Sequence, residues 1–107
     1  GAGPHAGDEN AIRLTFDLLS ITRIHSTSVL LCVAATLIFL AQIRRNTSEW
    51  MRLKARLEMF LAVAVAQGGV GYLQYFSGVP AQLVAVHVAL AVAVWISALR
   101  LWIAVRQ

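Results

Sequence analysis

The chain has 107 residues, of which 59% are hydrophobic and only 13% charged, whereas a soluble domain carries about 25% charged residues. That deficit excludes an ordinary soluble globular domain and fits a chain whose solvent is mostly lipid. The net charge of +4 does not point to nucleic acid, because the basic residues stand beside apolar runs, where a topology signal explains them better.

Residues 1–17 (GAGPHAGDENAIRLTFD) are polar and turn-rich. They read as an extracytoplasmic loop, with a short amphipathic piece at the membrane surface. No basic n-region or small-residue cleavage site opens the chain, so no signal peptide is expected and the chain reads as a fragment of a longer membrane protein. A first span is expected over about 18–43, followed by a polar connector from Arg44 to Glu58. A second span is expected over about 57–76. The short turn Ser77-Gly78-Val79-Pro80 leads to a third over about 81–105, with Pro80 suited to the first turn of the helix. Each span has roughly the 20 residues needed to cross a bilayer as a helix. The fold class is therefore all-α, a membrane helical bundle.

Orientation follows from Arg44, Arg45, Arg52, Lys54 and Arg56 in the connector and from Arg100 and Arg106 near the C-terminus. The positive-inside rule puts both groups on the cytoplasmic side, with the N-terminal loop outside. Tyr72, Tyr75 and Phe76 then form the outer aromatic belt, and Trp50 and Trp102 the inner one. The single cysteine, Cys32, excludes an internal disulfide and is expected to be a small buried thiol.

His25 and His87 lie inside different spans. A histidine within the hydrocarbon is costly and by default marks a site. Each stands about 10 Å in from the outer end of its helix, and Gln67 on the second span about 12 Å in, at 1.5 Å per residue. Three spans thus place their most polar interior residue in one layer. Gly68, Gly69 and Gly71 surround Gln67 and permit close approach of a flat ligand or another helix. On the third helix, His87 shares a face with Leu83, Val84, Leu90, Ala91 and Val94, an apolar wall for a ligand. The Ala81, Ala85, Ala89, Ala93 and Ser97 strip, nearly opposite, is expected to be the helix-packing face.

Imidazole is the usual protein ligand of haem iron, and two histidines on facing helices suit a six-coordinate haem for electron transfer. Histidines that merely join helices are the alternative. A zinc or copper site would need more ligands, and no carboxylate lies inside a span. Arg23, near the outer end of the first span, is an interfacial anchor or a partner for a haem propionate. His5 is a solvated loop residue or part of a loop folded over a pocket mouth. No nucleophile–base pair, phosphate loop or paired carboxylates appear, so no catalytic residue is assigned.

The run Ala66-Gln67-Gly68-Gly69-Val70-Gly71-Tyr72-Leu73-Gln74-Tyr75-Phe76-Ser77-Gly78-Val79-Pro80, with Leu83-Val84-Ala85-Val86-His87 after it, closely resembles the bacterial haem A synthase family in its actinobacterial form. Gly1-Ala2-Gly3-Pro4-His5-Ala6-Gly7-Asp8 resembles the loop after that family's fifth helix, and Arg23-Ile24-His25 the histidine motif of its sixth. The resemblance implies the last three helices of an eight-helix protein built from two four-helix halves. It implies haem b as cofactor, with His25 and His87 as axial ligands and Gln67, Gly68, Gly71 and Arg23 about it. The missing N-terminal half would hold haem O and oxidise its C8 methyl to the formyl of haem A. Membrane lipid, haem O synthase and terminal oxidase assembly factors are the implied partners, in the cell membrane. A stand-alone bis-histidine cytochrome or haem-anchor subunit, and a non-catalytic membrane assembly subunit, remain as other classes.

Overall fold

A computed structural model describes residues 17–107, so the expected loop, His5 included, lies outside the described residues apart from Asp17. Three helices follow in order, α1 (Leu18–Ile43), α2 (Thr47–Phe76) and α3 (Ala81–Arg106), and no strand occurs among the described residues. All three are long and apolar enough to cross a bilayer. Apolar surroundings force this choice, because only a helix or a closed barrel satisfies every backbone N–H and C=O internally in lipid. The chain is a multi-pass membrane segment. It divides into two compact units, Gly1–Ala34 and Ala35–Gln107, with the boundary inside α1.

The first unit contributes the start of α1. Asp17 caps it, its Oδ1 accepting the Ser20 N–H at 2.6 Å, while its carbonyl accepts the Ile21 N–H at 3.2 Å. Farther in, the Ser28 hydroxyl donates to the Ile24 carbonyl at 2.8 Å, which satisfies a polar group within an apolar helix.

The second unit is dominated by an antiparallel hairpin of α2 and α3. Along α2, Leu53, Leu57, Phe60, Ala64, Gln67, Gly71 and Gln74 are buried or half-buried, as are Leu83, His87, Leu90, Val94, Ser97, Leu101 and Ala104 along α3. Both series step by alternating threes and fours, the spacing that keeps a seam facing its partner in left-handed helix packing. This overturns one expectation. The His87 face is the packing face of α3, while Ala81, Ala85 and Ala89 of the expected strip are exposed, Ala93 is half-buried and only Ser97 joins the seam. Large Leu and Val side chains beside small Ser97 and Ala104 fill the seam, so the alanine strip is not needed for close approach.

The helix α2 begins ten residues earlier than the expected span. Asn46 caps it, its side chain accepting the Glu49 N–H at 3.2 Å and the Ser48 hydroxyl at 2.8 Å. Only Arg44, Arg45 and Asn46 separate α1 from α2. Thirty residues make a helix about 45 Å long, against a hydrocarbon thickness of about 30 Å. The charged first third therefore continues the same helix beyond the hydrocarbon. Arg52 pairs with Glu49 at 2.5 Å and also donates to the carbonyl of Ala104, one of the last carbonyls of α3. That cross-link closes one end of the hairpin over buried Leu53, Leu57 and Ala104. Arg44 and Lys54 flank the Trp50 ring, and Arg106 lies 4.6 Å from the Trp102 centroid, so cations and aromatics share this end.

The other end is a tight turn. The Val79 N–H bonds to the Gln74 carbonyl at 2.9 Å, with Gly78 at φ 78°, the six-to-one closure of a Schellman motif. Val79 also takes a positive φ, 58°, a conformation that costs a branched residue free energy. Pro80 sits just before α3 as its N-cap rather than within the first turn. Cys32 is exposed on α1 rather than buried. In lipid an exposed small thiol carries little cost, so burial is not required of it.

Two outcomes test these ends. Asn46→Ala should cost about 1 kcal/mol and Asn46→Gly only a few tenths, read as faster hydrogen exchange of the Glu49 amide in micelles; equal protection in the alanine variant would contradict the cap. The Ser20 N–H holds the Asp17 carboxyl below its ordinary pKa, helped by the Ser20 hydroxyl. Its stabilisation is thus complete above the unfolded value of about 3.9 and lost as pH falls through the lower folded value. Cα chemical shifts of residues 18–22 should drift toward coil only below about pH 4, and Asp17→Asn should abolish that drift.

Candidate functional site: a polar layer near the turn

Toward the turn, the α2 side of the seam changes from leucine and phenylalanine to Gln67, Gly71 and Gln74, and His87 stands between Leu83 and Leu90 on the α3 side. Gln67 Nε2 donates to the His87 carbonyl at 2.9 Å. The imidazole lies against α2 at Gly71. A Cβ on Gly71 would stand 3.0 Å from His87 Cε1, 3.6 Å from Nδ1 and 3.9 Å from Nε2. Glycine at this position is therefore what lets the ring rest on the neighbouring backbone. Gly68 and Gly69 have no such role, since a Cβ on either would meet nothing within 4 Å. The two remaining glycines of the cluster are open positions on α2.

The layer is enclosed. His87 Nδ1, Gln67 Oε1 and Gln74 Oε1 are all buried. The two carboxamide oxygens have no hydrogen-bond donor among the described residues. Buried acceptors in apolar surroundings ordinarily find a partner, so this end is chemically incomplete in a way that the leucine-packed end is not. Gln74 was not among the expected site residues. It lies seven residues after Gln67, two helical turns along the same face, and that spacing is the signal that finds it.

Expected residues Gln67, Gly71 and His87 come together on the α2–α3 hairpin, and Gly68 stands beside them without contacting His87. His25 and Arg23 belong to the other unit, both exposed on α1. Near the turn, Tyr75 meets Phe76 edge-on with centroids 5.2 Å apart, and Tyr72 stacks on Phe76 at 6.3 Å, an aromatic cluster at the end opposite the basic residues. Among the described residues no three His, Cys, Asp or Glu side chains gather into one group.

The fold and site define a three-helix membrane segment with a histidine-bearing polar layer in its hairpin. Comparison with family models, with curated proteins and with solved structures gives no match.

The packing at Gly71 makes a specific prediction. Gly71→Val should overpack the seam and cost about 1–3 kcal/mol, with a changed His87 ring chemical shift in micelles. Gly68→Ala and Gly69→Ala should leave the His87 shift unchanged and cost no stability. An unaltered His87 resonance in Gly71→Val would show that the ring does not rest there.

Proposed function

We propose that this chain is the haem b-holding part of a haem A synthase, with His25 and His87 as the axial ligands. The observation that carries this reading is the His87 imidazole seated on Gly71, within the sequence block whose resemblance is most specific. A cradle that one methyl group would fill, with a neighbouring glutamine holding the backbone of the same histidine, suits a ligand that must be presented in one orientation. Bound haem b would supply a one-electron iron couple for electron transfer.

The chain's own residues have separable parts in this reading. Gly71 seats the ring of His87, the residue that would ligate the iron. Gln67 Nε2 fixes the main chain at His87. The second ligand comes from α1 as His25, and Arg23 offers a guanidinium to a propionate. The N-terminal loop lies outside and the C-terminus in the cytoplasm of the cell membrane, because the arginines and lysine at the opposite end of the hairpin obey the positive-inside rule. Oxidation of the haem O methyl to the formyl belongs to the other half of the protein. The partners proposed with it are haem O synthase and the factors that assemble terminal oxidase.

The test is a reduced-minus-oxidised absorption spectrum of the full protein produced with a haem supply. The wild type should show a low-spin b-type band, and His25→Ala and His87→Ala should each remove it. Absence of any haem band in the folded wild type would sink the proposal. Persistence of the low-spin signal in either variant would exclude that histidine as a ligand.

A further inference from the structure

A groove of about 490 Å³ runs along the α2–α3 hairpin, with Met59, Val63, Ala93 and Ile96 as apolar walls and Arg56 and Arg100 at its charged end. The same two arginines also line a second, adjoining groove beside Ile103 and Gln107. They therefore stand together on one side of the hairpin, one from each helix. No acidic side chain lines either groove, and neither arginine makes an ion pair among the described residues. The nearby ion pair is already complete between Glu49 and Arg52.

Their depth is equally informative. Arg56 lies about 30 Å along α2 from Phe76, and Arg100 about 28 Å along α3 from Ala81, at 1.5 Å per residue. The hydrocarbon core is about 30 Å thick. With the aromatic turn at one boundary, both guanidinium groups fall at the other, the level of phospholipid phosphates. Two cations side by side at the edge of a low-dielectric medium repel one another and lack a counter-charge there. A guanidinium fork matches phosphate oxygens bidentately, and the groove leading away from it toward mid-membrane is apolar, as an acyl chain requires.

We infer that this groove is a binding site for an anionic phospholipid, its phosphate held by Arg56 and Arg100 and one acyl chain lying along Met59, Val63 and Ile96. The site is independent of the haem reading. It lies at the opposite end of the hairpin from His87, and its test involves no haem. The occupant is a bilayer lipid rather than a soluble anion because the charged end opens into an apolar trough at membrane depth.

The experiment uses the full protein, delipidated in detergent and titrated with phosphatidylglycerol or phosphatidylcholine under native mass spectrometry. Phosphatidylglycerol should be preferred. The preference should fall about fivefold in Arg56→Gln and in Arg100→Gln, and about twentyfold in the double variant. Arg106→Gln, outside the groove lining, should retain it. Equal binding of the two lipids, or an unchanged preference in the double variant, would overturn the site. Displacement by an equal concentration of inorganic phosphate would overturn the lipid assignment. A photo-crosslinking residue at Met59 in native membranes should label phospholipid; labelling of another segment of the protein instead would show that a helix fills the groove.

Discussion

Two apolar helices gain nothing from meeting in lipid, because the solvent they would leave is as apolar as the surface they would bury. The α2–α3 hairpin must therefore hold together by close packing, by polar links between the helices and by a short connection. It uses all three. Small side chains at Ala64, Gly71, Ser97 and Ala104 occur along a seam whose bulk comes from leucine and phenylalanine. Arg52 joins the start of α2 to the end of α3, and Gln67 joins the two nearer the turn. The His87 site rests on this arrangement, since the histidine and its glycine seat belong to different helices.

The two ends of the hairpin make different demands. At the basic end, the groups between the helices are answered internally, Glu49 by Arg52 and a terminal carbonyl of α3 by the same arginine, while Arg56 and Arg100 face outward into the groove. At the turn end, polar atoms are enclosed and two acceptors have no donor among the described residues. Buried polar groups of this kind are costly unless they serve a ligand, water or another chain. The contrast gives the molecule a packed half that fixes the helices and a chemically open half that they present.

Much of the architecture was legible in the residues. The span of α1, the turn at Ser77–Pro80, and the approach of Gln67 to His87 follow from apolar length, turn chemistry and counting along helices. The direction in which α3 packs did not follow. That helix is apolar nearly all round, and a helix solvated by lipid lacks the polar–apolar contrast from which a facing direction is read. The strip of alanines has the composition of a seam, whereas the seam takes leucine, valine and histidine, and from the strip only Ser97. Gly68, Gly69 and Gly71 were likewise indistinguishable by composition. Only the position of a side chain from the other helix separates the one that needs to be glycine. The start of α2 is obscured because its charged residues, well suited to a helix, equally suit a polar connector, although Asn46 followed by Glu49 three residues on is a capping pattern.

The Schellman turn also makes chain length between Gly71 and His87 a chemical variable. Gly78 and Val79, both at positive φ, leave little freedom in how one helix hands over to the next. The seat and the ring are thus brought into line by the number of residues on each side of that turn. One residue added within α3 before His87 would swing the imidazole by about 100° and move it about 1.5 Å along the axis, so the glycine would face a different side chain although every site residue was still present. Tolerance to substitution and tolerance to insertion are therefore separate properties of this hairpin.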